Sequence, residues 1–256
     1  PLGLRGWDFS VYKQWELTYT REGNHLEVYV PSGSDKKPHE NSGMTVGVGA
    51  DGKNGVAFLD KVADVSSDVR ELMAKGVGKM GQSAQDEIDT WSASHGGRVP
   101  SLAPGQSDQL VQEAMAPRYL KVARERSTGM TTNKDGKDVE YKGKFKADNT
   151  VSTERFDGLD PIVKEVLIDI AWNSAYYAYG KENDITEAIR EGDTVQVLKN
   201  LQKFNNEKLK GTWGAPIRDQ WLSNRIADME GTAPEGSSAA SAPSTPSSTA
   251  QAEAQP

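Results

Sequence analysis

The chain has 256 residues, 36% of them hydrophobic, enough for one large domain or two small ones with a core. A net charge of −7 and a pI near 5.2 exclude nucleic-acid binding through a generally basic surface. The absence of cysteine excludes disulfides, thiolate metal sites and a cysteine nucleophile, and no apolar run approaches the roughly 18 residues of a membrane span.

The chain opens on proline, with no charged segment followed by an apolar stretch, which reads as no signal peptide. Residues 1–6 read as a tag remnant and lead-in, and the chain as a domain cut from a longer protein. In residues 11–20, Val11, Trp15 and Tyr19 recur every four residues, as on one face of an amphipathic helix. Glu22 falls near the end of that helix, where apolar neighbours can keep a carboxyl protonated near neutral pH, fit for a general acid. His25, Asp35, His39 and Glu40 follow. Their spacing matches no helical His-x-x-x-His pattern and the stretch holds Pro31, Gly33 and Pro38, so a solvated loop is expected rather than a metal centre.

The segment Ser42-Gly-Met-Thr-Val-Gly-Val-Gly-Ala-Asp51 is a glycine-rich strand. Alternation puts Thr45, Gly47, Gly49 and Asp51 on one face and Met44, Val46 and Val48 on the other, the core face. Fully extended, Thr45 and Asp51 would lie roughly 20 Å apart, too far for one reacting centre. Gly47, Gly49 and the Asp51-Gly52 pair permit a bulge or hairpin that brings Asp51 back towards Thr45. Glycine also leaves room for a sugar ring at Gly47 and Gly49. Two carboxylates and a hydroxyl so gathered are the inventory of a glycoside hydrolase site; for Asp51, a plain turn role before Gly52 is the competing reading.

Beyond the strand, periodicity predicts a helix over residues 60–74 and another from the capping-box pattern at Ser83 to Trp91, then a loop at Gly96, Gly97 and Pro100. A helix over residues 107–126 is expected to be kinked or divided at Pro117. Residues 127–155 read as a polar insertion with a hairpin turning at Lys134-Asp-Gly-Lys137. Residues 118–146 carry nine Lys or Arg against four Asp or Glu, a local +5 that could attract the carboxylates of peptidoglycan stem peptides or be a solvated loop. Asp160-Pro161 caps a central apolar helix. Further helices are expected over residues 184–191, 194–208 and 217–229, and from residue 231 a Ser/Ala/Pro tail too polar to order itself. Tyr176, Tyr177 and Tyr179 follow Asn173 and either stack on sugars or fill the core.

The order Glu22, then the strand with Thr45 23 positions on and Asp51 six after that, resembles the muramidase domains of pesticin and related bacterial toxins, which are similar to T-even phage lysozymes. The phage enzymes place an aspartate nine residues after the glutamate; here that position is Pro31, and the spacing follows the pesticin pattern. Ala171-Trp-Asn-Ser174 resembles the aromatic-Asn segment of the phage helical lobe, and Leu222-Ser-Asn-Arg225-Ile-Ala-Asp228 its closing Arg-Arg and acidic segment, with Asn224 in place of one arginine.

The resemblance implies an α+β, mostly α lysozyme-like domain over residues 7–230: a small lobe with a β hairpin packed on a helical lobe, and a cleft between. It implies cofactor-free hydrolysis of the β-1,4 bond between N-acetylmuramic acid and N-acetylglucosamine. Glu22 would protonate the leaving oxygen, while Asp51 and Thr45 hold the attacking water, an inverting arrangement for carboxyls roughly 6.5–9.5 Å apart. His39, Gly47, Gly49, Asn173 and Tyr177 are the candidate substrate contacts. Expected partners are peptidoglycan strands, an immunity protein and a secretion apparatus, with neither nucleic acid nor a membrane span. The setting would be an antibacterial toxin or type VI secretion effector acting in a target periplasm, with a phage endolysin or a non-hydrolytic wall-binding module as alternatives.

Overall fold

The computed structural model describes residues 25–32, 35–172, 181–190, 192–211 and 214–231. Glu22 and its helix, Asn173, Tyr177 and the tail lie outside the described residues. The architecture is α+β and mostly helical, with a three-stranded and a two-stranded antiparallel sheet.

The larger sheet is β1 (His25–Tyr29), β2 (Thr45–Gly47) and β3 (Ala50–Asp51), in that order. Strands β2 and β3 form the expected hairpin, pairing Thr45 with Asp51 and Val46 with Ala50. The bend is glycine chemistry: Gly47 and Gly49 take φ of +64° and +88°, values that L side chains rarely adopt. Met44, Val46, Val48 and Ala50 are fully buried, as expected of the core face, but Thr45 and Gly47 on the other face are buried as well, so β2 is covered on both sides.

A 3₁₀ turn (Ala57–Lys61) leads to α1 (Ser67–Lys75). This helix starts later than periodicity suggested, because Ser66 caps it, its Oγ accepting from Val69 N at 3.3 Å; Val62 and Val65 enter the core from the preceding turns. Helix α2 (Gln82–Ser94) outlasts Trp91, and its N-cap is Gly81. Ser83 instead closes a local turn, donating to Met80 O at 2.8 Å.

Helix α3 (Pro104–Leu110) runs through a π turn (Val111–Met115) into α4 (Ala116–Thr128). The division expected at Pro117 takes this form: proline has no N–H to donate and its ring crowds the preceding turn, and Ala116 N bonds five residues back to Val111 O. Strands β4 (Met130–Thr132) and β5 (Asp138–Glu140) make the second hairpin, closed by Lys137 O accepting from Asn133 N at 2.8 Å, with Gly136 at φ +77°.

After α5 (Thr153–Asp157), α6 (Pro161–Trp172) is central: every residue from Val163 to Trp172 is buried. Asp160 Oδ1 accepts from Ile162 N at 2.9 Å at its start. Helix α4 packs against α6 and against α7 (Glu182–Arg190); α8 (Thr194–Lys208) lies between α7 and α9 (Ala215–Glu230). Helix α9 begins two residues before the expected Ile217, since Pro216 is tolerated in a first turn. One apolar core runs from Val28 in the sheet to Ile226 in α9. Among the described residues no helix is long and apolar enough to cross a membrane.

Candidate active site

Gly52 N donates to Met44 O at 2.8 Å, so the adjacent pair, Thr45 and Asp51, is a non-hydrogen-bonded pair, in which facing side chains come closest. The hairpin thus brings together the two residues that the sequence placed six positions apart. Tyr29 of β1 pairs with Thr45 from the other side, and its ring rests on that of His25 with centroids 4.7 Å apart.

Asp51 is held at both oxygens. Oδ1 accepts from Lys53 N at 2.8 Å; Oδ2 lies 3.2 Å from Lys53 Nζ and accepts from Gly43 N at 3.4 Å. The side chain stays 28% exposed, so solvent reaches it. Lys53 Nζ also donates to Asn41 O at 2.7 Å. Gly43 is small by necessity, since a Cβ there would stand 2.6 Å from Asp51 Oδ1 and 2.7 Å from Lys53 Cβ.

Thr45 is only 1% exposed, and its Oγ1 donates to Gly43 O at 3.1 Å. With its proton so used, the hydroxyl has lone pairs to offer and would meet a water as an acceptor. The face carrying Thr45 is therefore covered at that position rather than open. Gly47 also faces protein: a Cβ there would lie 3.1 Å from both Ser107 Oγ and a Leu110 methyl. Gly49, half-buried, closes the turn beside it.

His39 sits in the exposed loop before β2. Its N–H donates to Pro31 O at 2.7 Å, and its Nδ1 accepts from Asn41 N at 3.3 Å. It therefore shapes the turn that presents Asn41 O to Lys53. Asp35 accepts from Lys37 N and does not join it. Among the described residues, no group of three or more His, Asp or Glu is arranged to hold a metal ion.

The local +5 of residues 118–146 is partly consumed inside the fold. Arg124 is buried, its guanidinium bonding Asp157 at 2.8 Å and Asp138 at 3.0 Å, and the Asp157 bond above all raises its pKa further. Lys146 pairs with Glu140 and Lys121 with Glu125, while Arg126 and Lys144 flank the Phe145 ring. Lys134, Lys137 and Lys142 stand exposed. The polar segment is tied down elsewhere too, as Asn149 Oδ1 accepts from Thr186 Oγ1 at 2.7 Å and its carbonyl from Arg190 at 2.7 Å.

Sequence reasoning missed three buried charge clusters. Arg218 of α9 and Asp169 of α6 are both 0% exposed and joined at 2.7 Å, with Asn205 of α8 accepting from the same guanidinium at 2.8 Å. Lys164 Nζ donates to Asp157 O at 2.8 Å, and burial lowers its pKa against the pull of Asp157 and Asp160. Glu182 is 3% exposed and its Oε1 meets no hydrogen-bond donor; burial pushes this carboxyl up, opposed by its own backbone N–H and by Arg126. Helical periodicity carries no signal for such pairs. Lys53 was missed as well, although the Asp51-Gly52 turn pair was a signal that could have found it.

A separate groove of about 470 Å³ lies between α7 and α8, lined by Asp184, Glu187, Arg190, Lys203, Phe204 and Glu207 among others. None of its lining residues belongs to the β2–β3 hairpin.

Comparison with family models, curated protein sequences and solved structures finds no match for this chain.

Proposed function

We propose that this chain is a peptidoglycan hydrolase, a muramidase of lysozyme-like fold that cleaves the β-1,4 bond after N-acetylmuramic acid by inversion. The observation that carries the reading is the facing pair Thr45–Asp51, a partly exposed carboxylate beside a buried hydroxyl whose proton is held by Gly43 O, set side by side by the hairpin. Glycoside hydrolysis needs an acid for the leaving oxygen and, in the inverting form, a second carboxylate that activates water on the opposite face. Asp51 with Thr45 fits the water-activating half, and Glu22 is the acid by its place in the sequence. Acting on walls, the chain is an antibacterial effector or toxin domain whose target lies in the periplasm of another bacterium, with an immunity protein as its natural antagonist.

The test is release of reducing ends from purified peptidoglycan, with muropeptides identified by mass spectrometry. Wild type should yield muramic-acid reducing ends; Glu22→Gln and Asp51→Asn should fold and lose about 10²–10⁴ in rate. Full activity in either variant removes that residue from the mechanism.

One observation favours a second reading, a wall-binding module without hydrolysis. Both oxygens of Asp51 are occupied by Gly43 and Lys53, as in a purely structural turn. Binding to sacculi with no reducing ends released by wild type would establish that reading instead.

A further inference from the structure

We propose that Lys53 is a positioning residue for Asp51, gripping the carboxylate through two different atoms and so holding it in one orientation beside Thr45. The inference rests on the reading of Asp51 as the group that activates water.

The geometry is that of a clamp. The Lys53 backbone N–H takes Oδ1 at 2.8 Å, while the ammonium reaches Oδ2 at 3.2 Å. A lone lysine on a surface would hold nothing still, because its stem moves freely. Here the ammonium has a second anchor in Asn41 O at 2.7 Å, on the chain entering β2. Asn41 is in turn set by its own N–H on His39 Nδ1 at 3.3 Å. The clamp therefore spans both ends of the hairpin, from the segment before β2 to the residues after β3. Gly43 leaves the space it needs, as a side chain there would strike both Asp51 and Lys53.

Charge makes the arrangement directional. Bonds between an ammonium and a carboxylate are stronger than neutral ones, so Oδ2 is drawn to the Lys53 side and the lone pairs left over point away from it. Displacing a reacting group by about 1 Å can cost roughly 10²-fold in rate, so freeing this carboxylate should appear in turnover rather than in binding.

The experiment compares Lys53→Met, which keeps the stem and removes the charge, with Lys53→Arg and Asp51→Asn. Reducing-end release is followed over a range of peptidoglycan concentrations, and Tm is taken for each variant. Lys53→Met should lower kcat by roughly 10- to 100-fold with KM and Tm close to wild type, and Lys53→Arg should recover most of the loss. The proposal is overturned if Lys53→Met keeps wild-type kcat while Asp51→Asn is inactive. It is equally overturned if kcat and Tm fall together and arginine restores neither, since Lys53 is then only a staple. Full activity in Asp51→Asn fails the reading of Asp51 itself, and the role of Lys53 with it.

Discussion

Asp51 and Gly43 show how little space the hairpin end allows. A Cβ at Gly43 would press on Asp51 Oδ1 at 2.6 Å, and the nearest escape is for the carboxylate to swing away. Gly43→Ala should therefore cost about 1–3 kcal/mol of stability in urea unfolding, as overpacking does, and depress the proposed hydrolysis more than that loss explains. Arg218 is a different case, since its partner Asp169 is fully buried and already ionically paired. Removing one member of a buried pair strands the other charge. Arg218→Ala is expected to lose about 3–5 kcal/mol in the same unfolding measurement. The ion pair of Arg225 with Asp228, at 3.7 Å along the exposed side of α9, should matter far less, and Arg225→Gln should leave stability within about 1 kcal/mol of wild type.

Among the elements, local chemistry and packing contribute separately. Helix α8 begins where its cap begins: Asp193 accepts from Gln196 N at 2.9 Å, and the expected span of residues 194–208 is the observed one. Asp193→Ala should cost about 1 kcal/mol in urea unfolding without changing the proposed hydrolysis, because α8 takes no part in the hairpin site. The hairpin itself was legible from parity and glycine alone, but the expectation of a single core face was not met, since Thr45 and Gly47 are buried along with Met44, Val46 and Val48. Its surroundings were not legible. That Gly47 abuts Ser107 and Leu110, and that Thr45 is covered, depends on α3 arriving from some 60 residues further along the chain. Ser83 was misread as a cap for a related reason: a hydroxyl close to several turns bonds whichever one the backbone finally makes.

For the molecule as a whole, the buried charges set how stability responds to pH. Glu182 is an acid whose pKa is raised by burial, so the folded chain holds its proton more tightly than the unfolded one. Between the ordinary value of 4.5 and the raised one, the native state binds more protons, and stability falls as pH rises. Above that window the full penalty of burying the carboxylate is present. Glu182→Gln should therefore be more stable than wild type in urea at pH 7, with the advantage shrinking towards zero as pH drops below about 4.5. An advantage independent of pH would place its cause in packing instead of ionisation. Lys164 works in the opposite sense: burial lowers its pKa, so its share of stability is recovered as pH rises through the lowered value towards 10.5.

By itself the sequence determined the local grammar of this protein: the core-facing Met44, Val46 and Val48, the glycine bend that returns Asp51 to Thr45, the apolar run of α6 and the cap at Asp160. These effects act over a few residues, so a window of sequence contains their whole cause. Only the tertiary structure decided which charges are buried and with whom. Arg124 looked like part of a basic patch until Asp138 and Asp157 closed on it, and Arg218 meets an aspartate 49 residues away. Pairings at that separation depend on how helices cross, and a window of sequence does not contain that.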